Sequence, residues 1–203
     1  MTRLMIVLLT ALGLMLAGCA SQSAAPTANA RPIAPMSKDA YDTAVRNAES
    51  QYKIDKDACA SRTGNAKDIC MAEANGREKV AKADAEAGYK NTPKAREDAR
   101  VARAEADYGV AKEKCDELSG NSKDVCVKEA NARRVRAQAD AKIEQVAADT
   151  QEDSAAKQAE ARRKAVESKR DADYKVAIEK CDALSGAAKD TCVSDAKLRF
   201  GKS

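Results

Sequence analysis

From Ser37 onward, apolar and polar positions alternate with helical spacing. The clearest stripe is Val101, Ala104, Tyr108, Ala111, Cys115 and Leu118, which step by three and four and so line one helix face that a second helix can cover. The stripe around Tyr52 is poorer, interrupted by Asp55 and Arg62. Ser37 is a natural cap for a first helix reaching about Arg62, and a second runs from Ala66 to about Lys90. Asn91-Thr92-Pro93 marks a boundary, because Thr92 can cap and Pro93 suits a first helical position. A third helix then reaches Ser119 and a fourth begins at Ser122. Neither Gly nor Pro occurs between Asn121 and Ser185, so one helix of about 95 Å could fill that span at 1.5 Å per residue. The stretch from Asp149 to Ser154 favours a break, since Asp, Ser and Thr compete for local hydrogen bonds. A fifth helix then ends at Ser185, and a short sixth spans Ala188 to about Arg199.

Superimposed on this pattern is a threefold repeat: Tyr52–Ala74, Tyr108–Ala130 and Tyr174–Ala196. In each copy a Tyr stands seven residues before a Cys, a Gly follows that Cys by five, and a second Cys comes eleven after the first. Lys-Asp precedes each second Cys, as Lys67-Asp68, Lys123-Asp124 and Lys189-Asp190. Repeats of this kind come from duplication and fix the architecture before any other feature.

Good helix formers precede each Gly, and Gly enters the left-handed region without a Cβ penalty. Asn65 or Asn121 can cap the next helix, whereas the third copy has Ala187 there. Helix, turn and helix make an αα-hairpin. Each cysteine lies about five residues from the turn, so the two stand at equal height, roughly 7–8 Å along their helices. The spacing therefore predicts bridges Cys59–Cys70, Cys115–Cys126 and Cys181–Cys192, with each Tyr beneath its bridge. The expected fold is all-α: three disulfide-stapled αα-hairpin repeats, forming an elongated bundle or a string of hairpins.

The chain begins with Arg3 and an apolar run, Leu4 to Leu16, which reads as an export signal. Leu16-Ala17-Gly18-Cys19 follows at once and resembles the lipobox of bacterial lipoproteins. That resemblance implies cleavage before Cys19, acylation of Cys19 and, with Ala20 next, sorting to the outer membrane on its periplasmic side. Removing Cys19 to a lipid leaves six of the seven cysteines, which are the three repeat pairs. Disulfides persist in the bacterial periplasm. The domain reading is a cleaved signal at 1–18, a lipidated tether at 19–36, and hairpin repeats at 37–91, 92–149 and 150–203.

Hydrophobic residues make up 44% of the chain, but nearly half of these are Ala, with no Trp and one Phe. Such a core buries little area, so each bridge should weigh heavily. Charge is balanced, 36 basic against 32 acidic, with the signs interspersed as on solvated helices. The densest basic clusters are Arg133-Arg134-Val135-Arg136 and Arg162-Arg163-Lys164, which offer contact with an anionic surface. Nucleic acid is a poor match for so balanced and aromatic-poor a chain.

No histidine is present, which excludes Ser–His and Cys–His nucleophile pairs and leaves no catalytic residues to name. No cofactor loop or metal-ligand spacing occurs either, and no C-x-x-C motif. The long Ala/Lys/Glu-rich segments, about 75–107 and 130–173, resemble those of bacterial envelope proteins such as TolA. The expected role is a structural or protein-interaction element of the envelope, held to the membrane by its lipid and paired with an envelope protein. The alternatives are a binding module for an anionic envelope ligand, an inhibitor-like protein, or a thiol-redox or metal-handling protein.

Overall fold

Why the cysteines can meet is visible in the backbone around them. A computed structural model describes residues 34–149 and 154–202. It holds α1 (Lys38–Cys59), α2 (Gly64–Lys90), α3 (Pro93–Cys115), α4 (Gly120–Asp149), α5 (Ser154–Cys181) and α6 (Gly186–Phe200), with no strand among the described residues. Bridges Cys59–Cys70, Cys115–Cys126 and Cys181–Cys192 join α1 to α2, α3 to α4 and α5 to α6, each with a Cα separation of 5.7 Å. The fold is therefore all-α and built of three stapled hairpins.

The caps follow local chemistry. The Ser37 hydroxyl accepts from the Ala40 N–H at 3.2 Å, and the Thr92 hydroxyl accepts from Ala95 at 3.1 Å. Asn91, at φ 49°, takes the left-handed conformation that ends α2. The stapled turns differ from expectation. Helices α1, α3 and α5 stop at their cysteines, not at Arg62, Ser119 and Ser185, and the next helices begin at the glycines. Tight bonds explain the early stop: Arg62, Leu118 and Leu184 each donate their N–H to the carbonyl of the cysteine three residues earlier. Gly64, Gly120 and Gly186, at φ 55°, 54° and 54°, then swing the chain into the second helix. Leu118 accordingly leaves the predicted stripe and lies in the turn, 45% exposed.

The asparagines do not cap. The Asn121 amide donates to the Glu179 carbonyl at 2.8 Å, reaching from the second hairpin to the third. The Asn65 amide nitrogen is buried without a partner among the described residues.

Helices contact only their neighbours in the chain: α1 with α2, α2 with α3, α3 with α4, α4 with α5, and α5 with α6. Where several ion pairs cross a contact they run in opposite sequence directions, as in Glu129–Lys180, Arg136–Asp173 and Asp140–Lys169 between α4 and α5. The helices are thus an antiparallel row, and α4 and α5 are separate, as the break at 149–154 requires. All three stapled turns fall at the same end of this row. The chain enters at the other end, where the Met36 N–H donates to the Gly88 carbonyl at 2.9 Å and Tyr41 stacks on Tyr89 at 5.0 Å.

The buried apolar residues are alanines and cysteines throughout, and the largest fully buried side chains are Cys59, Cys115 and Cys181. Alanine lets helices approach closely but removes little area from water. The bridge cysteines are thus the bulkiest fully buried part of each hairpin as well as its staple.

Candidate functional site

The first sulfur of each bridge is fully buried, while Cys126 and Cys192 are half-buried and Cys70 is 6% exposed. Beside two of the bridges, the repeated lysine has a structural partner. Lys123 pairs with Asp116 and Lys189 with Asp182, both at 2.9 Å, tying the start of the second helix back to the residue after the first Cys. The hydrogen bond to Asp116 holds the Lys123 ammonium above its ordinary pKa. In the first copy Ala60 stands where the aspartate should be, so Lys67 has no such clasp. The repeated tyrosines are half-buried, and two of them, Tyr108 and Tyr174, meet the residue eight positions past the second Cys. Tyr108 lies under the Arg134 guanidinium at 4.6 Å, and Tyr174 meets Phe200 edge-on at 6.0 Å.

The basic clusters divide once they are wound into helices. Arg134 turns toward α3, bonding Glu105 at 3.1 Å as well as covering Tyr108. Arg136 turns the other way and pairs with Asp173 of α5. Lys164 pairs with Glu160 at 2.7 Å, which holds that carboxyl below its ordinary range. Arg133, Arg162 and Arg163 are exposed and make no ion pair with a described residue. Cys19 lies outside the described residues.

Open grooves run where one hairpin meets the next, among them one of about 660 Å³ between α2 and α3 and one of about 500 Å³ along α4, α5 and α6. These two are repeat copies of each other. Gly76 and Ala132, Arg77 and Arg133, Asp107 and Asp173, Val110 and Val176, and Lys114 and Lys180 occupy matching positions. Sequence inspection missed this, although the arginine signal was there: Arg77, Arg133 and Arg199 all stand seven residues after the second Cys. Its contacts change with its surroundings. Arg77 binds Asp55 at 2.9 Å, while Arg199 lies over the Phe200 ring at 5.5 Å.

Among the described residues no group of three or more His, Cys, Asp or Glu could hold a metal ion, and no helix is long and apolar enough to cross a membrane. No protein family, curated protein or solved structure matches the chain.

Proposed function

We propose that the protein is an outer-membrane lipoprotein facing the periplasm, serving as a structural or protein-interaction element of the cell envelope. The observation that carries this reading is the fate of the cysteines. Six of seven are bridged within hairpins, and the seventh, Cys19, follows an apolar run and Leu16-Ala17-Gly18. Three disulfides in an alanine core suit an oxidising compartment. The row of helices contacting only chain neighbours leaves long faces open to partners, as repeat proteins use them. The tether would join this row through Met36, at the end away from the staples.

The test is Cys19→Ala in the full chain, followed by membrane fractionation and intact mass. The expected result is loss from membranes or accumulation of the unprocessed precursor. A variant that stays membrane-bound at the wild-type mature mass overturns the reading.

A further inference from the structure

Although the two basic clusters of the sequence divide, Arg133 of the first and Arg162 and Arg163 of the second fall on one side of the α4–α5 pair. Arg133 and Arg199 line the groove with Asp173, Ala177 and Phe200. On α5, positions 162, 166, 170, 173 and 177 step by four, four, three and four, so Arg162, Val166 and Arg170 continue the same face beyond the groove. Arg163 borders it, seven residues before Arg170. At 1.5 Å per residue this face runs for roughly 22 Å.

The carboxylates along the seam are already neutralised. Glu129 pairs with Lys180, Asp173 with Arg136, and Asp140 with Lys169, all between α4 and α5. Arg133, Arg162, Arg163, Arg170 and Arg199 are exposed and have no ion-pair partner among the described residues. Residues 154–170 hold six basic and two acidic side chains, an excess as large as the chain's whole +4. The face is open because α6, at 15 residues, covers only part of α5, at 28. At its centre stands Val166, 65% exposed.

We propose that this arginine face docks on a lipid bilayer through the phosphates of anionic headgroups. Each guanidinium presents a planar fork that matches phosphate, and arginine stems lie along apolar surface while their heads stay wet. An exposed valine among them suits the headgroup–acyl boundary and has no use against a soluble polyanion. The choice of a membrane rests on the lipoprotein reading, which places the chain beside one, and a basic patch is the usual second signal that strengthens a lipid anchor.

The test uses the chain from Ala20 to Ser203, which lacks the lipid but keeps every described helix and bridge. It is sedimented with vesicles of phosphatidylcholine alone or with added phosphatidylglycerol, at low and high salt. Binding is expected only with phosphatidylglycerol, and it should fade at high salt, where screening shortens to a few ångström. The variant R162E/R163E/R170E should weaken binding at least tenfold, since each basic residue near such a surface contributes about fivefold. The control K53E/K56E, on α1, should bind as the parent does, and circular dichroism should show both variants folded. Equal binding to phosphatidylcholine, no vesicle binding, or binding that survives the triple reversal overturns the proposal. So does binding to dextran sulfate without binding to vesicles. Because no lipid is attached, the outcome is independent of Cys19 processing: intact vesicle binding with failed lipidation would sink the lipoprotein reading alone.

Discussion

A Cβ placed on Gly76 would stand 2.9 Å from the Cβ of Ala106, so α2 and α3 meet at a distance that only glycine permits. The same repeat position is Ala132 in the second hairpin, 2% exposed, and Leu198 in the third, 78% exposed. Side-chain size therefore follows whether another hairpin is stacked alongside. Where one follows, the residue is Gly or Ala. On α6, which contacts α5 alone, a leucine stands free. A leucine cannot occupy the Gly76 depth, so the third hairpin does not offer the face that the first offers to its neighbour.

That relationship separates two glycine substitutions. Gly76→Leu should destabilise the protein by roughly 1–3 kcal/mol, the usual cost of overpacking. Gly109 lies within α3, and a Cβ there meets nothing within 4 Å. Gly109→Ala should stabilise by roughly 0.5–1 kcal/mol, because glycine costs about that much in a helix interior. Urea denaturation of both variants checks the pair. A Gly76→Leu protein as stable as the parent would mean that α2 and α3 are not in close contact.

Reduction should remove cooperative tertiary structure while leaving much of the helix. Each bridge spans a sequence separation of 11, for which loop-closure entropy gives about 3 kcal/mol. Net domain stabilities are about 5–15 kcal/mol, so three such losses are severe. The bridges should also yield in order. Cys126 and Cys192 are half-buried and open to attack by thiolate, whereas both sulfurs of Cys59–Cys70 are buried. Timed reduction, alkylation and peptide mass analysis should find Cys59–Cys70 last. An unchanged melting curve after full reduction refutes the larger claim.

Stability should be flat across neutral pH and fall only at the extremes. Gln51 and Arg77 hold the Asp55 carboxyl below its ordinary range, Lys202 does so for Asp171, and Lys82 for Glu49. A carboxyl lowered in the folded state contributes above its unfolded value, about 4, and that contribution is lost as pH falls through the folded value. Hydrogen bonds that the Lys82 ammonium donates to Glu78 and Glu49 raise its pKa, so its contribution is complete below about 10.5 and lost as pH rises through the folded value. The chain has no histidine to titrate between. Urea midpoints from pH 3 to 11 should trace a plateau from about 5 to 10. A step near pH 6.5 would contradict this account.

What the sequence made legible was what depends on covalent spacing. Cys, Gly and Cys at fixed intervals specify a hairpin wherever the rest of the chain goes, and the abundance of Ala beside few large apolar residues foretold the alanine core. Helix ends were misplaced by up to four residues because the turn's tight bonds to the cysteine carbonyls leave no mark in composition. The basic clusters were legible as charge but not as surface. Neighbours in sequence diverge by 100° per residue on a helix, which sends Arg134 to Glu105 and Arg136 to Asp173. Distant arginines such as Arg133 and Arg170 meanwhile share a side. Hairpin-on-hairpin register, set by Gly76 and Ala106, depends on residues thirty apart and could not be read locally.

The third hairpin should be the least stable, for a reason different from the missing cap at Ala187. Neither Thr63 nor Ser185 caps its helix through a side chain, so hairpins one and three are alike in that respect. The difference is length: α6 has 15 residues, against 27 in α2 and 30 in α4. It meets α5 through the Cys181–Cys192 bridge, the buried Ala196, and the Tyr174–Phe200 contact, with Lys202 bonding Asp171 at 2.7 Å. Edge-to-face rings add about 0.5–1.5 kcal/mol beyond the area they bury, so Phe200→Ala should cost roughly 1–2 kcal/mol and free the last turns of α6. Cys181→Ala/Cys192→Ala should release α6 altogether while the first two hairpins keep their protection, since α6 contacts only α5. Native-state hydrogen exchange resolves these openings by segment. Loss of protection in α1 and α2 on breaking the third bridge would show that the hairpins unfold as one unit, and the picture of separately stapled hairpins would fail.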